Sequence, residues 1–289
     1  MSDNTNGYKQ NINWYPGHMT SAKRMMEENI SLVDVVVEIL DARIPYSSRN
    51  PDIDKLAARK YRLLILSKSD LADPSVTNEW IEHFNEMGIK AISADTRSKK
   101  DLKDINRLIK EVSKEKLERD KKKGLRPRPI RAMIVGIPNS GKSTFINSVM
   151  GKAQAKTGNK PGVTKGKQWI KSGNDLEFLD TPGILWPKFD DVEVGQRLAI
   201  TGAINDNILP LYDIAAVLIE YLQNNYCNNL DERYKIESDF SPEEYLYEIA
   251  KVRNCIKKGG EADTDRAARL LIDDFRSGRL GRISLERIK

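Results

Sequence analysis

Cysteine and histidine are scarce in this 289-residue chain, which has only two of each. Cys227 and Cys255 lie in helix-like segments without metal-ligand spacing, which argues against a disulfide framework or a zinc site. The longest apolar candidate, IAAVLIEYL at 214–222, is far shorter than the roughly 18 residues of a membrane-spanning helix. The opening MSDNTNGYKQ also lacks the apolar segment of a secretory signal. We therefore expect a cytoplasmic protein.

Acidic residues are under-represented in the first part of the chain. Residues 1–185 hold 33 Lys and Arg against 23 Asp and Glu, a net of +10, whereas residues 186–289 hold 15 against 19, a net of −4. The surplus is concentrated in KEKLERDKKKGLRPRPIR at 114–131, with a smaller cluster at 276–289. Such a surplus favours a polyanionic partner such as RNA. A lysine-rich helix is also commonly just a solvated face, and that alternative stays open for residues 114–123.

The apolar pattern predicts a parallel α/β sheet followed by a helical domain. Runs of β-branched and aliphatic residues at 32–40, 61–66, 89–93 and 130–135, and a strand pair ending at 180, alternate with helical patterns. This alternation is typical of a mostly parallel sheet with helices on both faces. Beyond about Pro187 only helical patterns remain. We divide the chain into an arm (1–20), an α/β domain (21–187) with a basic linker (114–129), and a helical domain (188–289).

A phosphate-binding motif begins at Gly136, where GIPNSGKS fits G-x-x-x-x-G-K-[ST] between a predicted strand and a predicted helix. The glycines allow backbone N–H groups to surround phosphates at the positive end of a helix. Lys142 is expected to reach the β and γ oxygens, and Ser143 to ligate Mg²⁺. An ordinary glycine-rich turn is the alternative, but every fixed position of the motif is matched.

A second phosphate-side motif, DTPG at 180–183, follows the next predicted strand. Asp180 is expected to hold the Mg²⁺ shell, and the Gly183 N–H to meet a γ-phosphate. Between the two motifs, Thr164 in PGVTKG is the candidate to close a switch loop over Mg²⁺. Glycine and proline also mark plain surface turns, which is the alternative for residues 158–166.

The base-reading element stands upstream of the phosphate loop, since residues 184–289 contain none. SKSD at 67–70 follows a predicted strand, and its Asp70 can accept hydrogen bonds from guanine N1–H and N2–H₂, which adenine does not offer in that arrangement. Lys68 can lay its aliphatic stem across the base. SAD at 93–95 follows the next strand and can present the Ala94 N–H to guanine O6. The motif order is therefore that of a circularly permuted GTPase.

Together with WYPGHM at 14–19 and DARIPYSSRNP at 41–51, these motifs resemble the ribosome biogenesis GTPase A family of the YlqF/RbgA type. The resemblance is motif-rich from Trp14 to Pro187 and thinner in the helical half. It implies a circularly permuted P-loop GTPase fold and a role in assembling the large (50S) ribosomal subunit. It also implies that the helical domain and the basic surface contact ribosomal RNA.

Three residues take roles from the resemblance alone. Asn139 matches the Asn that helps to coordinate K⁺ in potassium-dependent GTPases, although Asn also suits a turn. His18 matches an amino-terminal histidine implicated in hydrolysis, a role left vacant because Ile184 stands where Ras-type proteins carry a water-positioning Gln. Ser67 replaces the family's usual Asn, so we expect weaker guanine binding.

The sequence thus predicts a GTPase that binds a late large-subunit precursor in its GTP form and leaves on hydrolysis, with turnover stimulated by the ribosome. The expected partners are rRNA, ribosomal proteins and GTP or GDP, with no membrane, and a monomer off the ribosome. The alternatives are an RNA-binding assembly scaffold with incidental nucleotide binding and, less compatible with SKSD, an ATP-dependent enzyme.

The predicted catalytic residues are His18, Lys142, Thr164 and Gly183. The predicted ion ligands are Ser143, Thr164 and Asp180 for Mg²⁺ and Asn139 for K⁺. The predicted nucleotide contacts are Ser67, Lys68, Ser69, Asp70, Ser93, Ala94, Pro138, Asn139, Ser140, Gly141, Lys142, Ser143, Thr144 and Gly183.

Overall fold

A computed structural model describes residues 17–150, 168–187, 189, 191–236 and 240–288. Its sheet has six strands within these ranges: β1 (Val35–Asp41), β2 (Tyr61–Ser67), β3 (Lys90–Ala94), β4 (Ile130–Gly136), β5 (Gln168–Ser172) and β6 (Leu176–Asp180). Their order is β3-β2-β1-β4-β6-β5, and every neighbouring pair is parallel except β5 with β6. The predicted strands and the α/β fold class are confirmed.

Helices pack on both faces of this sheet, with α4 and α6 on one face and α3 on the other. The helices of this part of the chain are α1 (Gly17–Asn29), α2 (Pro51–Leu56), α3 (Pro74–Glu86), α4 (Lys99–Val112), α5 (Lys114–Lys122) and α6 (Lys142–Met150). Because successive side chains of a strand point to opposite faces, Ile39 packs into one core with α4 and α6, and Leu40 packs into the other with α3. Both side chains are fully buried. All seven residues of β1 are buried and five of them are apolar, the exceptions being Glu38 and Asp41, as expected of a central strand in a parallel sheet.

The helical part of the chain has its own core. The helices of this part are α7 (Val192–Ile200), α8 (Leu211–Asn225), α9 (Cys227–Tyr234), α10 (Pro242–Val252) and α11 (Thr264–Arg276). α8 is the central helix and contacts α7, α9, α10 and α11. Asp274 is 1% exposed and accepts hydrogen bonds from Arg233, Tyr234 and Arg279. Burial opposes ionisation there, but the hydrogen bonds from Arg233 and Arg279 hold the pKa of Asp274 below its ordinary value.

Contacts divide the described residues into two compact units: 17–187 with 286–288, and 189–285. The chain thus leaves the α/β unit soon after DTPG and returns to it at Glu286. In the part of the chain that is described, none of the helices has both the length and the apolar character needed to cross a bilayer.

Candidate nucleotide site

Parallel strands bring the predicted motifs to one edge of the sheet. Asp41 at the end of β1 is paired in register with Ser67 of β2, which is paired with Ala94 of β3. On the other side, Ile39 of β1 is level with Gly136 at the start of the phosphate loop. Neighbouring strands are about 4.8 Å apart, so β2 and β4 are separated by about 10 Å, with β1 between them. The base-reading and phosphate-binding elements therefore flank the end of β1, where open α/β sheets bind ligands.

Both glycines of the phosphate loop are required by close approaches. A Cβ on Gly136 would lie 2.6 Å from the Ile39 carbonyl oxygen, a distance that side chains do not tolerate. Gly141 has φ of 92°, and a Cβ there would meet the Ser67 hydroxyl at 3.2 Å. The loop also buries Ser140 Oγ, which has no hydrogen-bond partner among the described residues. A phosphate oxygen would supply one.

Lys142 and Asp180 form a buried pair at the phosphate side. The Lys142 Nζ lies 3.4 Å from Asp180 Oδ1, and both residues are about 95% buried or more. Burial lowers the pKa of Lys142, and the Asp180 charge opposes that shift. A bound phosphate would add the second anion that a buried ammonium favours.

Asp180 and Ser143, at the phosphate side of the site, are suited to bind Mg²⁺. Within the described ranges no group of three or more His, Cys, Asp or Glu side chains could hold a metal ion. Mg²⁺ in nucleotide sites needs only one or two protein ligands, because phosphates and waters complete its octahedron. Asp180 is buried with one long ionic contact, so its carboxylate keeps acceptor capacity, and Ser143 follows Lys142 at the start of α6. When bound, the ion would neutralise charge developing on the phosphates.

DTPG lies directly against the phosphate loop. A Cβ on Gly183 would sit 2.9 Å from the Pro138 nitrogen, so only glycine fits. The Ile184 N–H donates to the Gly136 carbonyl at 3.2 Å, and the Ile184 side chain is 2% exposed. An apolar side chain packed in the core cannot orient an attacking water. Asn139 has φ of 62°, a left-handed conformation that Asn tolerates well, which gives a geometric reason for Asn at this position.

Ser67 uses its hydroxyl to join strand and loop. Its Oγ is fully buried and is within hydrogen-bonding distance of the Leu40 carbonyl, at 2.8 Å, and of the Ser140 carbonyl. A hydroxyl has one proton, so it can donate to only one of these carbonyls at a time. The structure thus places Ser67 as a tether of the phosphate loop, with its side chain committed to backbone atoms.

Lys68 is held by a residue outside the predicted set. Its Nζ pairs with Asp41 Oδ2 at 3.0 Å, and the same carboxylate receives Arg43 through Nε at 2.9 Å and Nη2 at 2.7 Å. Although burial opposes ionisation, the two cations hold the pKa of Asp41 well below its ordinary value. Fixing the ammonium leaves the aliphatic stem of Lys68 in one place, as stacking on a base requires.

Arg97 links the two base-reading elements. Its Nη2 lies 2.7 Å from Asp70 Oδ2, and its Nε lies 2.9 Å from Asp95 Oδ1. Hydrogen bonds from Arg97 lower the pKa of Asp95, and the two carboxylates raise the pKa of Arg97. Asp70 is 40% exposed at its side chain, so it is open to a base. An arginine two residues after SAD was visible in the sequence, but nothing there indicated its partner.

The loop at 42–50 connects this site to the carboxyl-terminal residues. Its Asn50 caps α2 and donates from Nδ2 to the Ile184 carbonyl at 3.3 Å. Glu286, 4% exposed, accepts from the backbone N–H of Tyr46 at 2.6 Å and of Ser47 at 3.0 Å, and also from the Ser47 hydroxyl. The segment after DTPG is therefore bonded to a loop that is itself bonded to the last residues of the chain.

Replacing Glu286 with Ala should destabilise the α/β unit by about 2–4 kcal/mol, because two amides and a hydroxyl lose a charged acceptor in a buried place. The measurement is the denaturant midpoint followed by a probe of that unit. Glu111→Ala is the matched control, since Glu111 is an exposed residue of α4 in the same unit. Equal midpoints for the two variants would mean that the Glu286 contacts add nothing to stability.

Two of the predicted site residues cannot be placed. Thr164 lies outside the described residues, and for His18 only the backbone is described, in the first turn of α1. The remaining predicted residues come together at the edge described above. Ser69 follows Lys68, Ser93 and Ala94 end β3, and Thr144 follows Ser143 in α6.

Comparisons with known proteins agree with this geometry. A family model described as "50S ribosome-binding GTPase" matches residues 131–242. The chain is 48% identical over 278 residues to ribosome biogenesis GTPase A of Bacillus cereus, covering 95% of this chain and 93% of that protein. It is 35% identical over 277 residues to the Thermotoga maritima protein of the same name, covering 96% and 94%. The crystal structure of GNP-bound YlqF from T. maritima matches with a TM-score of 0.65 at 30% identity, covering 92% of this chain and 98% of that one.

Proposed function

The chain belongs to the ribosome biogenesis GTPase A family, and from that premise we propose that its GTP form docks on a late precursor of the large ribosomal subunit and that hydrolysis releases it. It is a GTPase that acts in ribosome assembly, cleaving GTP to GDP and phosphate, and the resemblance drawn from its motifs is confirmed. The precursor, stimulation by the subunit, the K⁺ ion, binding to rRNA, a monomeric state and a cytoplasmic location are parts of the proposal.

Each side chain of the site has a defined task in this scheme. The phosphate-loop amides and Lys142 hold the phosphates, Ser143, Thr164 and Asp180 organise Mg²⁺, and Asp70 reads guanine beside Lys68. Charge stabilisation by positioned donors is the main contribution that a protein makes to phosphoryl transfer. Asn139 would add K⁺ beside the phosphates.

One observation supports release on hydrolysis: the contacts around Ile184. Its N–H is bonded to the phosphate loop and its carbonyl to Asn50. Loss of the γ-phosphate would remove the partner of the neighbouring Gly183 N–H, so the DTPG segment would lose one of the contacts that hold it. The helical domain at 188–289, which we propose as the ribosome-binding domain, follows this segment directly in the chain.

We expect purified large subunits to raise GTP turnover in K⁺ and to raise it much less in Na⁺. The measurement is phosphate release with and without subunits in each salt, with Lys142→Ala as the background. An RNA-binding scaffold would show no stimulation in either salt. Stimulation that is equal in K⁺ and Na⁺ would keep the assembly GTPase and remove the K⁺ role from Asn139.

A further inference from the structure

A basic pocket lies at the edge of the sheet opposite the nucleotide site. It has a volume of about 270 Å³ and is lined by Arg59, Lys60, Tyr61, Lys116, Arg119 and Lys123 together with Val33 and two carboxylates. Val33 and Asp34 precede β1, and Tyr61 is the first residue of β2. The seven residues of β1 span about 20 Å, so the pocket is a separate site from the one that holds the phosphates of GTP.

Both carboxylates of the basic pocket are already neutralised. Asp34 receives Arg128 at 2.7 Å, Lys116 at 3.1 Å and the Arg131 N–H at 2.9 Å. Asp120 pairs with Lys116 at 2.5 Å. Each carboxylate is therefore already ion-paired with a lysine or an arginine. Neither forms an ion pair with any of the remaining cations of the lining.

Two of the other cations have no ion pair in the described part of the chain. Among the described residues, no carboxylate lies within ion-pair distance of Arg59 or Lys123, and both are exposed. Arg119 donates to the Tyr61 hydroxyl at 3.0 Å, and Lys60 donates to the Val33 carbonyl at 2.8 Å. Burial lowers the pKa of Lys60, Asp34 opposes that shift, and the charge of Lys116 adds to it. The lining thus brings five cationic side chains together with only two carboxylates.

We infer that the basic pocket binds a backbone phosphate of RNA, in a contact made by the α/β unit separately from the helical domain. This inference rests on the proposed function, which supplies a ribosomal RNA partner. An arginine without a carboxylate partner can donate two parallel hydrogen bonds to phosphate oxygens. A polyanion also fits better than an isolated anion, because α5 continues the positive surface for about 13 Å with the exposed Lys114, Lys121 and Lys122.

The test compares two double variants of the same charge change. Arg59→Gln with Lys123→Gln removes the unpartnered cations of the basic pocket, and Lys121→Gln with Lys122→Gln removes two exposed lysines of α5 that do not line it. Each lost phosphate contact lowers the slope of log affinity against log salt by about 0.7–0.9. We expect the pocket variant, which loses one phosphate contact, to lower the slope for deproteinised large-subunit rRNA by about 0.7–0.9 and the control to lower it by less than half as much. Neither variant should change basal GTP hydrolysis.

Other results would overturn the inference. Equal slopes in the two variants would mean that only the overall field of the linker attracts RNA. Unchanged rRNA binding with weakened pyrophosphate binding would make the site one for a small free anion, and a loss confined to polyglutamate would make it one for an acidic protein. GTP turnover stimulated by large subunits is measured in the same preparations. A loss of stimulation would contradict the proposed function without contradicting RNA binding by the pocket, and equal salt slopes would contradict the pocket without contradicting the function.

Discussion

Asp70→Asn should weaken GTP binding by about 10²–10⁴ and reverse the preference toward xanthosine triphosphate. A carboxylate can accept from both N1–H and N2–H₂ of guanine, and hydrogen bonds to charged groups contribute about 1.5–3 kcal/mol each. Two such bonds correspond to that range at about 1.4 kcal/mol per tenfold change. The amide of Asn restores a donor, which matches the O2 of xanthine. Titration with fluorescent GTP and XTP analogues measures both affinities.

A variant of Arg97 separates the loss of the base contact from the loss of an ion pair. Because Arg97 holds Asp70 at 2.7 Å, part of any effect of Asp70→Asn could come from losing that ion pair. Arg97→Ala removes the ion pair and keeps the carboxylate. An exposed pair contributes about 0–1 kcal/mol, so GTP affinity should stay within about fivefold of wild type. If Asp70→Asn bound GTP as well as Arg97→Ala and still rejected XTP, Asp70 would not be the base reader.

The fold was predictable because its signals are local. Buried parallel strands require near-continuous apolar runs, and the strand ends are marked by SKSD, SAD and the phosphate loop within a few residues of each apolar run. The rule that carboxyl ends of parallel strands meet at one edge then brings motifs together that are far apart in the chain, such as Ser67 and Gly141. Circular permutation changes the chain order and leaves this spatial rule intact.

The partners that support the site were not predictable in the same way. Glu286 is 239 residues from Ser47, and a glutamate in a basic tail has no pattern that identifies its acceptor role. Asp41 and Arg43 lie within a motif shared with the family, but that motif does not indicate that Asp41 binds both Arg43 and Lys68. Such contacts depend on tertiary packing, which brings side chains together with no regular sequence spacing.

Ser67 illustrates a substitution that the structure explains in part. Where the family commonly carries an amide, this chain has a hydroxyl within reach of the Leu40 and Ser140 carbonyls. The shorter side chain still tethers the phosphate loop to β1. It offers only one donor, however, so the expected weakening of guanine binding would come through a looser loop and not through a lost contact with the base.

Hydrolysis needs a group that positions the attacking water, and Ile184 does not supply it. That side chain is buried and its backbone is bonded to the phosphate loop, so it cannot position water. His18 stands in the first turn of α1, beside Met19, which is fully buried. The helix is therefore anchored one residue after the histidine. We propose that His18 supplies the missing group and that binding of the large subunit brings its imidazole to the attacking water.

His18→Ala should accordingly slow GTP cleavage on saturating large subunits by about 10²–10³, the usual cost of losing one positioned transition-state group. GTP affinity should hardly change, because the imidazole meets the water and not the bound nucleotide. The slow rate without subunits should fall much less, and the variant should stay bound to the particle. His83→Ala is the matched control, since the His83 ring packs edge-on against Trp80 with centroids 5.6 Å apart. Single-turnover cleavage gives the rates; a His18→Ala rate within about threefold of wild type would make the histidine structural and leave K⁺ or a ribosomal group to position the water.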